Sequence, residues 1–569
     1  MMIKKSKWVL QQSDKKVSEM LATELELNPL CGAVLYNRGI KTAEEGREFL
    51  HPQVSGLHNP FMLKDMEKGV EKIRQVIANG GKIVVYGDYD VDGITAVSAI
   101  YLYLKSKGVS VTYYIPSRSD EGYGLNKEAV NHFKEMGTEL IITADCGITA
   151  DDDIAYAAEL GISVVITDHH KCKDIIPEAY AVINPKREDC TYPFKELSGV
   201  GVAFKLIEAL EGGDKTGELL EKYGDLLCLG TIADIVSLTD ENRIFVTYGL
   251  ELLKEPTNIG LKALITEAGL YNKKITSSHV GFIIAPRVNA VGRLGNALDA
   301  VKLFTTSDED EAVKLAKLLC EENKRRQEIE KNILKEACAI IEKEKLYETD
   351  RVIVLDSETW HHGVIGIVAS RISEKYSKPC VLISSAGEEA KGSCRGIAGF
   401  NMFEALSYCS DCLMKYGGHE LAAGLTVKKE NIPVLREKMN QFAKEKYNSK
   451  YFVEEIIYDG KITEKDITLE MTDSLELIQP CGMGNTAPLF MIEKVKISGL
   501  SFFGDGKHVR MRFHKKGVSV YVIGFGVGNT SSVKMLRDGD IVNALVTPYT
   551  NDYRGKKMPA LKLKDIKLV

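Results

Sequence analysis

Acidic or histidine-bearing segments follow apolar runs at four places in the first half of the chain. Three of those runs, residues 83–86, 140–143 and 164–167, are short and rich in β-branched residues. Because they alternate with helical stretches, they predict strands of a parallel sheet. Functional groups of an open parallel sheet collect just beyond the carboxyl ends of its strands, so we expect the four segments to converge on one crevice. The segments are Asp88-Tyr89-Asp90-Val91-Asp92-Gly93, Asp145-Cys146-Gly147, Asp168-His169-His170 and Ala233-Asp234-Ile235.

The residue types in these segments favour a metal site over plain loops or helix caps. A single Asp-Tyr-Asp run is usually a loop, and a Thr-Asp-His run is more often a cap with a solvated histidine. Clustered carboxylates, however, repel one another unless a cation neutralises them. Hard carboxylates mixed with one or two imidazoles suit Mn²⁺ or Mg²⁺ better than a structural zinc. The pattern predicts a phosphoester hydrolase whose cofactor is a pair of Mn²⁺ or Mg²⁺ ions.

Chain length and cysteine usage indicate a multidomain protein of a reducing compartment. The 569 residues are too many for one hydrophobic core and favour about three domains. Twelve cysteines at irregular spacing fit the cytoplasm better than a disulfide framework. No apolar run reaches the length of a membrane span, and no signal peptide is evident. We expect a cytoplasmic protein without membrane contact.

A strand near the C-terminus is predicted to carry a basic face. The net charge of −6 argues weakly against a nucleic-acid partner, but the distribution of charge matters more than the sum. Apolar side chains alternate with basic or imidazole ones over residues 508–514, the pattern of a strand with one buried face. A plain solvated face is the alternative, yet four such side chains in succession favour contact with a phosphate backbone. The apolar residues are Val509, Met511 and Phe513, and the others are His508, Arg510, Arg512 and His514.

The order of the predicted elements indicates an α/β fold class. Two α/β domains are joined by a long helix and followed by a C-terminal OB-like β-barrel. The polar middle of the long helix suits a bridge between two domains. The predicted segments are a helical lead-in over 1–75, the first α/β domain over 76–300, the linking helix over 301–348, the second α/β domain over 349–450 and the barrel over 451–569.

Several motifs resemble the DHH phosphoesterase superfamily. Asp90-Val91-Asp92-Gly93 and Asp168-His169-His170 match its first domain, and three glycine-bearing segments resemble its DHHA1 partner domain. Those segments are 361–366, 392–396 and 417–424. With the segments 230–238, 287–293 and 480–485, the chain resembles the branch of bacterial exonucleases specific for single-stranded DNA, in order over nearly its whole length. One departure is Cys481, where members often carry an aromatic residue.

The resemblance assigns expected roles at the metal site. Asp90 and Asp92 are expected to bind separate metals, Asp145 to bridge both, and His170 to contact the scissile phosphate. The implied catalytic residues are Asp90, Asp92, Asp145 and His170. The implied metal ligands are Asp88, Asp90, Asp92, Asp145, His169 and Asp234.

The resemblance also implies contacts to DNA. Arg118, Ser393 and Arg395 are expected to form a pocket for a 5′-terminal phosphate. The other implied contacts are Arg287, Asn289, Arg293, Arg371 and His419, and the basic strand adds Arg510 and Arg512.

The implied activity is hydrolysis of single-stranded DNA from 5′ to 3′ in DNA repair and recombination, releasing mononucleotides. The implied partners are single-stranded DNA, a single-strand-binding protein and a helicase, and the chain is expected to act as a monomer. A phosphodiesterase for cyclic dinucleotides or short oligonucleotides, or a pyrophosphatase, is an alternative, but those relatives are generally compact and leave the barrel unexplained. A non-catalytic replication scaffold is a further alternative, but such proteins lose metal ligands that are present here.

Overall fold

The computed structural model describes residues 6–117, 124–447, 453–553 and 555–569. Its strands are β1 (Ser6–Leu10), β2 (Lys82–Gly87), β3 (Val111–Tyr114), β4 (Thr138–Ala144), β5 (Ser163–Thr167), β6 (Ala181–Ile183), β7 (Ile353–Ser357), β8 (Cys380–Ser384), β9 (Glu389–Arg395), β10 (Leu413–Gly418), β11 (Ala422–Lys428), β12 (Glu454–Tyr458), β13 (Gly460–Ile462), β14 (Phe490–Phe503), β15 (His508–Lys515), β16 (Val518–Gly524), β17 (Ile541–Tyr553) and β18 (Lys556–Leu568).

The helices are α1 (Lys15–Glu24), α2 (Pro29–Asn37), α3 (Ala43–Leu50), α4 (Met66–Ala78), α5 (Val91–Ser106), α6 (Lys127–Glu135), α7 (Asp151–Glu159), α8 (Gly199–Leu210), α9 (Thr216–Ala233), α10 (Asp240–Leu252), α11 (Ile259–Glu267), α12 (Ser277–His279), α13 (Ala285–Leu294), α14 (Leu298–Thr305), α15 (Glu309–Lys343), α16 (Leu346–Thr349), α17 (His362–Tyr376), α18 (Met402–Tyr408), α19 (Ile432–Lys446), α20 (Leu469–Glu476) and α21 (Ser531–Lys534). A π-helical turn, Val280–Ile284, separates α12 from α13. No helix of the described ranges is both long and apolar enough to cross a membrane.

The chain divides into two compact units. The first unit comprises residues 44–324 and 478–487, and the second comprises residues 1–43, 325–477 and 488–569. The short segment 478–487 therefore belongs to the first unit although it lies far along the chain.

The first unit is built on a parallel five-stranded sheet in the order β3-β2-β4-β5-β6. Helices α4, α5 and α8 cover one face and α6 and α7 the other, and both layers bury apolar side chains against the strands. The predicted runs are β2, β4 and β5, whereas β3 and β6 are too short to be distinctive in the sequence. The direction of winding reverses between β2 and β4, where open sheets of this kind bind ligands.

The second unit contains a mixed sheet and a closed barrel. The sheet has the order β10-β11-β9-β8-β7, with β7 parallel to β8 and the other pairs antiparallel. In the barrel, β14, β15, β16, β18 and β17 pair in that order, and β17 pairs again with β14. The predicted α/β class with a C-terminal β-barrel is confirmed.

One feature of the second unit differs from what local patterns indicate. The segment predicted as a helical lead-in begins with β1, which pairs in parallel with β12. β12 lies more than 400 residues away along the chain, so no local sequence pattern predicts the pairing. All twelve cysteines are unpaired, including Cys409 and Cys412, which are both buried.

Candidate metal centre

The turn between β2 and α5 places two aspartates at the carboxyl end of the sheet. Asp88 follows directly after β2, and Asp90 is the N-cap of α5. Asp90 Oδ1 accepts hydrogen bonds from the backbone N–H groups of Asp92 (2.9 Å) and Gly93 (3.1 Å), which orients this carboxylate. A Cβ added to Gly93 would lie 2.6 Å from the backbone oxygen of Asp88, so this tight turn requires glycine.

Asp92 lies buried in the first turn of α5 and faces the start of another helix. Its carboxylate accepts hydrogen bonds from the N–H groups of Gly199 (2.6 Å) and Val200 (2.8 Å), at the N-terminus of α8. Burial, and then the charges of Asp234 and Asp90, raise the pKa of Asp92 well above its usual value, and the two hydrogen bonds lower it only in part. The α8 N-terminus thus offsets part of the cost of a negative charge on the buried Asp92.

Asp145 follows β4 and is held in a left-handed backbone conformation. Its φ is +62°, and its N–H donates to Thr167 O at 3.0 Å. Its Oδ1 is buried and accepts no hydrogen bond from the described residues, and a Cβ added to Gly199 would lie 2.4 Å from that oxygen. Burial and the charges of four other aspartates raise the pKa of Asp145 well above its usual value. The electron pairs of Asp145 Oδ1 are therefore available to bind a cation.

His169 follows β5 and lies among three carboxylates. Its Nε2 is 3.2 Å from Asp145 Oδ1, 3.5 Å from Asp234 Oδ2 and 3.9 Å from Asp92 Oδ2, but none of these contacts has hydrogen-bond geometry. Burial, and then the neighbouring His170, lower the pKa of His169 to about 3. The imidazole is therefore neutral at physiological pH, as a metal ligand must be.

Asp168 orients the residues around it. Its Oδ1 accepts hydrogen bonds from the N–H groups of His169 (2.7 Å) and His170 (3.0 Å) and from His170 Nδ1 (2.8 Å). Its Oδ2 accepts from the N–H of Ile148 at 2.9 Å. Burial lowers the pKa of His170, but the hydrogen bond and charge of Asp168 outweigh burial and raise it to about 9. The sequence motif indicates that Asp168 matters, but only the structure reveals this orienting contact.

The potential ligand atoms of this centre form three overlapping groups, and a fourth group in the described part of the chain, His58, Asp240 and Glu241, shares no residue with them. Within each group all atoms lie within 4.8 Å of one another. Asp145 belongs to two groups, and His169 also belongs to two. Carboxylate oxygens with a neutral imidazole are a donor set that suits Mn²⁺ or Mg²⁺. The groups are Asp88, Asp90 and Asp145; Asp92, His169 and Asp234; and Asp145, His169 and His170.

Helix α13 carries three of the residues predicted to contact DNA, Arg287, Asn289 and Arg293. A Cβ added to Gly292 would lie 2.6 Å from the backbone oxygen of Tyr89, so α13 packs directly against the turn after β2. Arg287 donates to the backbone oxygen of Ile283 and, at 3.3 Å, to Cys320 Sγ. The structure therefore brings α13 beside Asp88 and Asp90.

In the second unit, Ser393 and Arg395 lie together on β9. Arg395 Nη1 donates to Ser393 Oγ at 3.3 Å, and Arg395 Nε donates to Ser370 Oγ at 3.0 Å. A Cβ added to Gly366 in α17 would lie 2.8 Å from Ser393 Oγ and 3.2 Å from the guanidinium. Arg371, which follows Ser370 in α17, contacts the buried Glu330 at 2.5 Å.

Two more predicted DNA contacts lie elsewhere. His419 is exposed in the turn between β10 and β11, and its N–H donates to Ala422 O at 2.8 Å. Arg118 lies outside the described residues.

Strand β15 has the predicted two faces. Val509, Met511 and Phe513 are buried, and Arg510 and Arg512 are exposed. Arg510 Nε donates to Ser501 Oγ (2.9 Å) and Arg512 Nη1 to Ser519 Oγ (3.1 Å).

The two histidines of this strand have more specific contacts than a plain basic face implies. His514 Nε2 lies 2.5 Å from Ser498 Oγ. The ring of His508 packs between Phe503 and Phe525, with centroids 5.0 and 5.5 Å away.

Protein-family models match three parts of the chain: the DHH family N-terminal domain over residues 82–231, the DHHA1 domain over 349–445, and the RecJ OB domain over 458–565. Fold and site together define a DHH phosphoesterase with a DHHA1 domain. The chain is 38% identical over 568 residues to the single-stranded-DNA-specific exonuclease RecJ of Bacillus subtilis, covering 99% of this chain and 71% of the relative. It is 34% identical over 500 residues to RecJ of Escherichia coli, covering 84% and 86% of the two chains.

The crystal structure of RecJ in complex with Mn²⁺ from Thermus thermophilus superposes with a TM-score of 0.84 at 28% identity, covering 99% of this chain and 79% of that one. A second structure of that protein, in complex with Mg²⁺, superposes with a TM-score of 0.78. The chain belongs to the RecJ family of single-stranded-DNA-specific exonucleases. The predicted resemblance and the predicted class, a metal-dependent nuclease for single-stranded DNA, are confirmed at the level of the family.

Proposed function

We propose that this chain hydrolyses single-stranded DNA from the 5′ end, releasing mononucleotides, with two divalent cations as cofactor. The observation that carries the proposal is the convergence of five aspartates and His169 beyond β2, β4 and β5, with Asp145 Oδ1 buried and accepting no hydrogen bond from the described residues. Such a cluster of repelling charges is costly without cations. Relatives of the same family have been crystallised with Mn²⁺ and with Mg²⁺, which supports either ion.

The overlapping ligand groups support a division of labour between two cations. Asp88, Asp90 and Asp145 would hold one, and Asp92, Asp234 and His169 the other, with Asp145 reaching both. Bound divalent cations neutralise the carboxylates, lower the pKa of water and polarise a phosphoryl oxygen.

His170 supplies charge stabilisation from the protein itself. Its Nδ1 is held by Asp168, so the imidazolium keeps one orientation beside the ligand cluster. Negative charge develops on the phosphoryl oxygens during in-line attack, and a fixed N–H donor at that position stabilises it without reorganising.

Residues on β9 and α17 support a pocket for the 5′-terminal phosphate. Ser393 and Arg395 offer a hydroxyl and a guanidinium, and Gly366 lets both approach α17 closely. Guanidinium groups bind phosphate in a bidentate and charge-assisted manner, which would select the 5′ end. In our proposal, Arg371 and His419 contact the strand backbone.

The remaining contacts act along the strand without reading its sequence. Arg287, Asn289 and Arg293 of α13 would bind phosphates next to the metal centre, and Arg510 and Arg512 of β15 would bind other phosphates of the strand. The aromatic rings of Phe503 and Phe525 beside β15 support stacking of unpaired bases.

The cellular setting of the proposal is DNA repair and recombination in the cytoplasm, with the chain acting as a monomer beside a single-strand-binding protein and a helicase. Twelve unpaired cysteines support a reducing compartment.

Digestion of single strands labelled at the 5′ or the 3′ end, in Mn²⁺ and in Mg²⁺ and with duplex controls, tests polarity and substrate together. We expect immediate release of the 5′ label as mononucleotide and no cleavage of blunt duplex. Release of the 3′ label first, or equal cleavage of duplex, would contradict the proposal.

A further inference from the structure

Exposed apolar side chains collect around the C-terminal end of α9, the helix that ends beside Asp234. Ile235 is 66% exposed, Phe282 83% and Met483 56%. Isolated exposed apolar residues are ordinary on protein surfaces. These three, however, come from distant parts of the sequence, and specific contacts bring their segments to the same helix end.

The segment 478–487 is anchored to the residues that follow Ile235. The N–H of Leu238 donates to the backbone oxygen of Met483 at 2.8 Å. Gly484 has a φ of +71°, which favours glycine, and a Cβ added to it would lie 2.1 Å from Ser237 Oγ and 3.2 Å from Ser237 Cβ. Met483 is thus presented to solvent from a segment fixed beside the end of α9.

The segment carrying Phe282 is anchored to the same place. Ser277 Oγ donates to the backbone oxygen of Cys481 at 2.8 Å, and a Cβ added to Gly281 would lie 3.8 Å from the Ile232 side chain in α9. Phe282 lies in the π-helical turn, a feature found frequently at functional sites.

Ile235 has a backbone conformation that its side chain disfavours. Its φ is +61°, directly after Asp234, the C-cap of α9. Helices that end in this conformation usually have glycine at that position, and a β-branched residue there is an outlier. Burial does not explain the isoleucine, because its side chain is mostly exposed. Strained residues of this kind cluster at functional sites.

We propose that Ile235, Phe282 and Met483 contact unstacked nucleobases of the single strand next to the metal centre and so position the nucleotide that is removed. The proposal rests on the exonuclease function proposed above. Asp234 immediately precedes Ile235, and α13, which follows the Phe282 turn, bears Arg287 and Arg293. Cationic groups for phosphates beside apolar groups for bases are the combination by which proteins bind single strands without sequence preference.

A comparison of two substrates tests this proposal. One is a 5′-phosphorylated single strand, and the other is the same strand with abasic sites at its first few positions. We expect the double variant Phe282→Ala, Met483→Ala to lower kcat/KM about tenfold on the normal strand, as loss of base stacking does. On the abasic strand the variant and the unaltered protein should be equal, because no base is present to contact. Ile235→Gly, which suits the backbone conformation, should show the same selectivity.

Tyr271→Ala is the matched control, because Tyr271 is also an exposed aromatic residue of the first unit and should affect neither strand. A second measurement avoids turnover: in EDTA, a fluorescent base analogue near the 5′ end should change its emission on binding the unaltered protein and not on binding the double variant. Equal losses on both strands, or no loss on either, would overturn the base-contact proposal while leaving the exonuclease intact. Failure of the unaltered protein to cut any single strand would overturn the proposed function, and this inference with it.

Discussion

The carboxylates beside β2, β4 and β5 are largely buried in the first unit, whereas Arg510 and Arg512 on β15 of the second unit are exposed. Burial raises the pKa of Asp92 and of Asp145, so in the absence of cations these carboxylates are held in an unfavourable environment. Arg510 and Arg512 donate hydrogen bonds to the hydroxyl groups of Ser501 and Ser519, and water can screen their exposed charges. This comparison indicates that the buried carboxylates need a bound cation. The exposed arginines can offer phosphates only an attraction that weakens as the salt concentration rises.

The sharpest test of the buried cluster is Asp145→Ala. We expect hydrolysis to be abolished, because this carboxylate belongs to two of the three ligand groups. In EDTA the variant should unfold at a higher Tm than the unaltered protein, since removing one of several repelling buried carboxylates relieves the others. Asp145→Asn keeps the shape of the side chain, and it should show the same loss of hydrolysis and the same rise in Tm.

Asp152→Ala, in the first turn of α7, is the control and should leave hydrolysis unchanged. Near-normal degradation of a 5′-phosphorylated single strand by Asp145→Ala would show that Asp145 is not a ligand of the metal centre.

A smaller effect is expected from Asp168→Asn. The variant keeps a hydrogen-bond acceptor but loses the charge that holds His170 and helps orient His169. Groups that orient metal ligands typically contribute about 10- to 100-fold, and we expect kcat to fall by that amount. The pH dependence of kcat should change as well, because Asp168 raises the pKa of His170. A lower kcat with an unaltered pH profile would indicate a merely structural role.

Much of the candidate metal centre was predictable because most of the expected ligands lie shortly after a recognisable strand, whereas Asp234 is the C-cap of α9. Asp88 and Asp145 stand directly after β2 and β4, and His169 follows β5 by two residues. Strand ends in a parallel sheet meet at one edge. The buried face of β15 was predictable for a similar reason, since alternation is local.

Contacts between residues distant in sequence were not predictable. The N–H groups of Gly199 and Val200 that hold Asp92 come from a helix more than 100 residues away. Segment 478–487 belongs to the first unit through contacts such as that between Leu238 and Met483, and β1 pairs with β12. No periodicity encodes such pairings, because they depend on how completed elements pack.

Arg395 is intermediate in burial between the buried carboxylates and the exposed arginines of β15. Its guanidinium is held by serine hydroxyl groups and lies beside α17. Arg395→Ala should reduce the preference for 5′-phosphorylated over 5′-hydroxyl ends, and a lost charge-assisted contact corresponds to about 1.5–3 kcal/mol. Competition between the two kinds of end in one reaction measures this ratio directly, with Lys428→Ala, an exposed cation of the same unit, as control. Equal losses on both ends would make Arg395 a general backbone contact.

Replacing Arg510 and Arg512, the exposed arginines of β15, should have the smallest effect and the clearest dependence on salt. Each phosphate neutralised on a single strand contributes about −0.7 to the slope of log K against log salt, so Arg510→Ala with Arg512→Ala should flatten that slope by roughly one unit or more. Binding of long strands should weaken, and cleavage of very short oligonucleotides, which offer few phosphates to bind, should change little. The control pair is Lys534→Ala with Arg537→Ala, two exposed cations of the same barrel. Titrations of a long strand at several salt concentrations decide the matter. An unchanged slope would mean that β15 faces solvent rather than DNA. If the control pair flattens the slope equally, Arg510 and Arg512 contribute only to the overall positive charge of the barrel.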